Sequence, residues 1–268
     1  MLVSVPASCS NSLRQTRLRR PAVPVSTQVL SSTILRKQAV SDRWFYLAMA
    51  LAAETVIFFG FSRTYYLKLH YPSSPSLSLI VHIHALVFTS WMIYFIVQTL
   101  LIAVKRPTLH RSLGLVGAFL GTAVIAMGLL VAVIAMRLGH GNLTQSPEVI
   151  FLVALIDIGS FALFFVLGYL KRGDREAHQR LMLMAVVIGL TGAGLGRLTG
   201  LGVSIPVISV INFSLLFAGP VYDLITRRRI HRVYRWAIPY ALATFTPLRF
   251  LLGSTSWWNH LAHRIVGM

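Results

Sequence analysis

Three histidines occupy equivalent places in this 268-residue chain. Each closes a short basic segment just before an apolar run: His110 in KRPTLHRSLG, His178 in KRGDREAHQRLM and His231 in RRRIHRVYRW. The positive end of a helix and the neighbouring guanidinium groups both oppose an added proton. Neutral imidazole is the form that ligates metal. The pattern therefore points to a cofactor site, for haem b or another His-ligated metal, with a quinone or other small molecule as ligand. The same residues are also explained as interfacial polar groups in basic loops that bind nothing. Cys9 is the only cysteine, so a Cys-ligated zinc site, an iron–sulfur cluster and a CxxCH haem attachment are excluded.

A second set of polar residues lies inside the apolar runs. Glu54 falls near the middle of the first, His82 and His84 early in the second, and Asp157 and Asn212 in the outer, earlier halves of the fourth and sixth. Arg197 and Arg249 approach the ends of the fifth and seventh. At about 1.5 Å of rise per residue, these positions share similar depths in a layer of parallel helices. Two acids and two arginines there can neutralise one another and lower the cost of insertion. One reading is a buried charge network that only fixes packing. The other is an outward-facing polar cavity of Glu54, His84, Asp157, Arg197, Asn212 and Arg249, which binds a solute or moves protons. His84, Trp91 and Gln98 recur every seventh residue on one helical face, so His84 points inward and His82 elsewhere. Tyr222 and Asp223 stand beside Arg227, where a surface i,i+4 ion pair suffices as an explanation.

The elements that position these residues follow from hydropathy. The chain is 56% hydrophobic and 12% charged, with a mean hydropathy of +0.71. Seven apolar runs, near 44–65, 77–104, 112–136, 148–170, 180–199, 204–225 and 233–253, approach the roughly 20 residues that span a hydrocarbon core. The expected fold is all-α, a polytopic membrane bundle of seven helices. Glycines 189, 192, 194 and 196 make the fifth run a closely packed helix rather than a loop. Pro206, Pro220, Pro239 and Pro247 mark candidate kinks in the sixth and seventh. Net charge is +18, but the basic residues lie mainly between apolar runs. Nucleic acid is therefore excluded as a partner, and the lipid bilayer takes its place. Alternate inter-helix segments hold nineteen of the 25 Lys and Arg residues, which predicts an inside N-terminus and an outside C-terminus.

The chain divides into a basic arm over 1–41, a seven-helix domain over 42–255 and a short tail over 256–268. The arm carries Arg14, Arg17, Arg19, Arg20, Arg36 and Lys37 and no acid before Asp42. It reads as a disordered cytoplasmic arm, with an organellar transit peptide as the alternative. The loop motif repeats three times, so helices two to seven are also readable as three copies of one hairpin.

The segments VHIHALVFTSWMIYFIVQ (81–98), LHRSLGLVG (109–117), AHQRLMLMA (177–185) and YDLITRRRIH (222–231), with Arg197, resemble a family of uncharacterised bacterial multi-span proteins. That resemblance covers about residues 44–255 and implies an inner-membrane helical bundle, with no catalytic residues to carry over. A fainter likeness is to membrane b-type cytochromes, which hold each haem between histidines on two facing helices. The chain departs from that pattern on the outer side, where only the second helix offers histidine, and retains it on the inner side in His110, His178 and His231.

The expected function is a haem- or metal-binding redox-type membrane protein using these three histidines. The alternatives are a transporter or proton-coupled permease using the buried charges, and a scaffold without enzymatic activity. No GxSxG, HExxH or P-loop segment is present.

Overall fold

A computed structural model describes residues 25–71, 77–140, 145–245 and 248–267, with side chains from Ser41 onward except Leu248. The chain divides into two compact units, Met1–Gln38 and Ala39–Met268. In the first unit the described backbone begins at Val25 and is helical. The rest of the arm expected over 1–41 lies outside the described residues.

The described residues are mostly helical and contain no strand. They form α1 (Val25–Phe61), α2 (Leu79–Ala103), α3 (Pro107–Ser112), α4 (Gly114–Arg137), α5 (Pro147–Leu170), α6 (Arg175–Gly189), α7 (Thr191–Arg197), α8 (Ile205–Arg227), α9 (Arg232–Phe245), α10 (Leu248–Gly253) and α11 (Ser256–Val266). Six segments among them are long and apolar enough to cross a membrane: Ser41–Tyr66, Leu79–Ala103, Gly114–Arg137, Pro147–Leu170, Arg175–Leu201 and Ile205–Arg227. The protein is a polytopic helical bundle of membrane type.

Of the expected seventh span the described residues form α9 and α10, with residues 246 and 247 between them outside the described residues. α9 has 14 residues and α10 has six, whereas crossing a core about 30 Å thick takes roughly 20. Pro239 lies inside α9, and the kink expected at Pro247 falls outside the described residues. Pro206 sits in the first turn of α8, where a missing N–H costs nothing, and Pro220 lies within that helix.

α6 is the central helix, because its span is 72% buried whereas those of α2, α4 and α8 are each 22% buried. Residues Leu183 to Ile188 are all buried there, against α5. The peripheral helices turn large apolar side chains outward, including Leu79, Leu115, Phe119 and Ile205, as lipid contact requires. Trp91 of α2 is fully buried and meets Phe161 and Phe165 of α5 edge to face, with centroids 5.1 and 5.4 Å away. The hydrophobic effect between helices is weak in lipid, so close approach depends on small residues. A Cβ at Gly60 would overlap the Gly194 backbone, and one at Gly189 would overlap that of Phe161. The glycine-rich fifth run is thus packed against α1 and α5 as its composition predicts. It is nevertheless broken at Leu190, between α6 and α7.

The stretch read as a short tail is α11. Thr255 caps it by accepting from the Trp258 N–H. Trp258, Ala262 and Val266 then form a second apolar cluster with Ala132, Met136 and Phe151.

Candidate functional site

The inner histidines do not form a triad. α3 begins at Pro107, which suits a first helical turn, and carries His110 in its last turn. α6 is capped by Asp174, whose Oδ1 accepts from the Ala177 N–H at 3.1 Å, and carries His178 in its first turn. The packing of these helix ends places the His110 and His178 rings 6.2 Å apart between centroids, 74° apart in plane. His178 Nδ1 lies 2.8 Å from the Gly168 carbonyl. A carbonyl only accepts, so in the neutral ring Nδ1 carries the hydrogen and Nε2 keeps its lone pair. Burial, then the adjacent His178, holds the His110 imidazole below the usual histidine range, and its Nδ1 has no partner. Gln98, from the stripe shared with His84, reaches the same region. Its backbone interacts with His110, and both ends of its buried amide are unpartnered.

His231 serves a different purpose. Its Nδ1 accepts from the Val233 N–H at 3.2 Å, and its own N–H donates to Asp223 Oδ2 at 3.3 Å. It therefore starts α9. Burial, then the Arg180 charge, holds its imidazole below the usual range. Among the described residues no group of three or more His, Cys, Asp or Glu is placed to hold a metal ion.

Beside His231 lies an ionic chain that the sequence reading missed. Arg180 of α6 and Asp223 of α8 are fully buried side chains. They pair bidentately, Nε to Oδ2 at 2.9 Å and Nη2 to Oδ1 at 2.5 Å. Asp223 Oδ1 also accepts from Arg227 Nη1 at 3.0 Å, and Arg227 Nη2 donates to Asp42 Oδ2 at 2.6 Å. The surface i,i+4 pair expected between Asp223 and Arg227 is thus the middle link of a buried chain across α1, α6 and α8. The available signal is the place of Arg180 immediately before the apolar stretch LMLMAVVIGL, at the start of the fifth run. Tyr222 adds a hydrogen bond to Asp42 Oδ1 at 3.0 Å.

The outer polar set is divided. Asp157 and Arg249 form an ion pair at 3.1 Å, with side chains 12 and 13% exposed. Arg197 donates to the Ala193 carbonyl at 2.9 Å and stacks over Phe61. His84 lies against the Phe88 ring, and its Nδ1 is unpartnered, as is Asn212 Oδ1. His82 is exposed and meets the Tyr65 hydroxyl at 3.3 Å, so the two histidines diverge as their spacing requires. Glu54 stands elsewhere, lining an open groove of about 320 Å³ between α1 and α2.

No family model, curated protein or solved structure matches the chain.

Proposed function

We propose that this membrane protein binds a transition-metal ion or a haem iron between His110 and His178 and serves a redox role. The observation that carries the reading is the ring separation of 6.2 Å. One metal ion with metal–nitrogen bonds of about 2.0 Å holds two opposed imidazole centres about 6 Å apart. The Gly168 carbonyl fixes His178 through its second nitrogen, an arrangement that orients metal-ligating histidines. Two imidazoles from this chain leave further coordination positions for an external ligand, such as a quinone or another small molecule. His231 supports the region by starting α9. The distribution of basic residues favours the inner side for this pair, with the N-terminus also inside. The resemblance of segments 81–98, 109–117, 177–185 and 222–231 to bacterial multi-span proteins favours the inner membrane.

The test is an absorption spectrum of the detergent-purified protein, oxidised and dithionite-reduced, with metal analysis of the same sample. A Soret band that sharpens on reduction, or stoichiometric metal, is expected, and either is lost in His110→Ala and His178→Ala. A colourless, metal-free protein removes the reading.

A second reading, a transporter or proton-coupled permease, is favoured by the break at Leu190. Discontinuous helices form ligand sites in many transporters. Here Gly192, just after the break, faces the Asp157 carboxylate, which Arg249 pairs. Loss of solute flux in Asp157→Asn with folding retained is its signature.

A further inference from the structure

Six of the seven acidic side chains have a basic partner within 4.0 Å: Asp42, Glu148, Asp157, Asp174, Glu176 and Asp223. Glu54 is the exception among the described residues. It is 4% exposed, and neither carboxylate oxygen has a hydrogen-bond partner. An unpaired carboxylate in an apolar surround is costly, and burial of a charge is tolerated when a counter-ion arrives.

The groove that Glu54 lines supplies what such a counter-ion would need. Its walls are otherwise almost wholly apolar or aromatic, with Leu51, Phe58 and Met92 among them. At one end Phe58 and Tyr66 stack with centroids 5.0 Å apart. The Tyr66 hydroxyl is already engaged with Thr89 Oγ1 at 2.8 Å. Aromatic faces beside an acid form the recognition chemistry of ammonium and other organic cations. The volume of about 320 Å³ lies at the lower end of small-molecule sites. The groove lies between two apolar spans, α1 and α2, so an entering cation needs an apolar body.

We infer that the α1–α2 groove is a binding site for a lipophilic organic cation, with Glu54 as its counter-ion and the Phe58–Tyr66 pair as its aromatic wall. The inference is independent of the His110–His178 pair. In a low-dielectric groove the attraction between carboxylate and cation is many times stronger than in water.

The test uses the full-length protein in phosphatidylcholine nanodiscs and equilibrium binding of radiolabelled tetraphenylphosphonium. Saturable binding near one per protein is expected above that of empty nanodiscs. Glu54→Gln keeps the shape and removes the charge, and is expected to weaken binding by about tenfold or more, which is ~1.4 kcal/mol. His110→Ala is expected to bind as the unsubstituted protein does. A second measurement needs no variant: uncharged triphenylphosphine oxide is expected not to displace the bound cation. Absence of saturable binding, equal binding by a monodisperse Glu54→Gln protein, or displacement by the uncharged competitor would each overturn the inference.

Discussion

The ionic chain around Asp223 and the groove around Glu54 are both buried carboxylate environments, and they are opposites. Asp223 accepts from Arg180, Arg227 and the His231 N–H, so its lone pairs are spoken for. Glu54 has no partner and adjoins open volume. A saturated buried charge holds helices together, whereas an unsaturated one beside a groove is poised for a ligand. The two carboxylates differ in which neighbours the fold supplies, not in residue chemistry.

The largest loss of stability is expected at Asp223. Asp223→Ala leaves Arg180 buried without its bidentate partner, and breaking a buried pair in this way costs about 3–5 kcal/mol. Thermal or denaturant unfolding in detergent measures it, and an effect under about 1 kcal/mol would show that the chain is not structural. Glu54→Gln removes no partner and is expected to change the same stability by less than about 1 kcal/mol. Equal losses at the two sites would erase the distinction drawn between them.

Gly60→Leu should also be severe, because its side chain would meet the Gly194 backbone rather than a movable side chain. Overpacking of this kind costs about 1–3 kcal/mol, read as a lower midpoint of unfolding. Gly114→Ala, where a Cβ meets nothing within 4 Å, is the control expected to show no loss.

Asp174 gives the smallest effect and a pH signature. The N–H of Ala177, which it caps, holds its carboxyl below the usual aspartate range. A depressed carboxyl pKa stabilises the folded state above the unfolded value, near 3.9, and that contribution fades as pH falls through the folded value. The stability difference between the protein and Asp174→Ala should therefore be about 1 kcal/mol at pH 7 and shrink below pH ~4. A difference that is constant with pH would assign the cap's contribution to something other than the ionised carboxylate.

Hydropathy and composition alone determined that the chain is an all-helical membrane bundle, and placed six of the spans. Span length and apolarity are local sums over about 20 residues, and tertiary contacts barely alter them. The divergence of His82 and His84 was equally legible, because helical periodicity dictates it. The seventh run carries Arg235, Pro239 and Arg249 among its apolar residues, and its described residues form α9 and α10 with no span-length helix among them.

Tertiary structure decided which polar residues meet. His110, His178 and His231 look equivalent in the sequence, yet only two become neighbours, because the third is consumed by the start of α9. Arg180 and Asp223 are separated by 43 residues, and neither periodicity nor hydropathy sets the helix rotation that joins them. Glu54 looked like one member of a charge-balanced set with Asp157, Arg197 and Arg249. The packing of α1 beside α2 leaves it alone in an apolar groove, because an ion pair depends on a few ångströms of relative helix position that no single helix encodes.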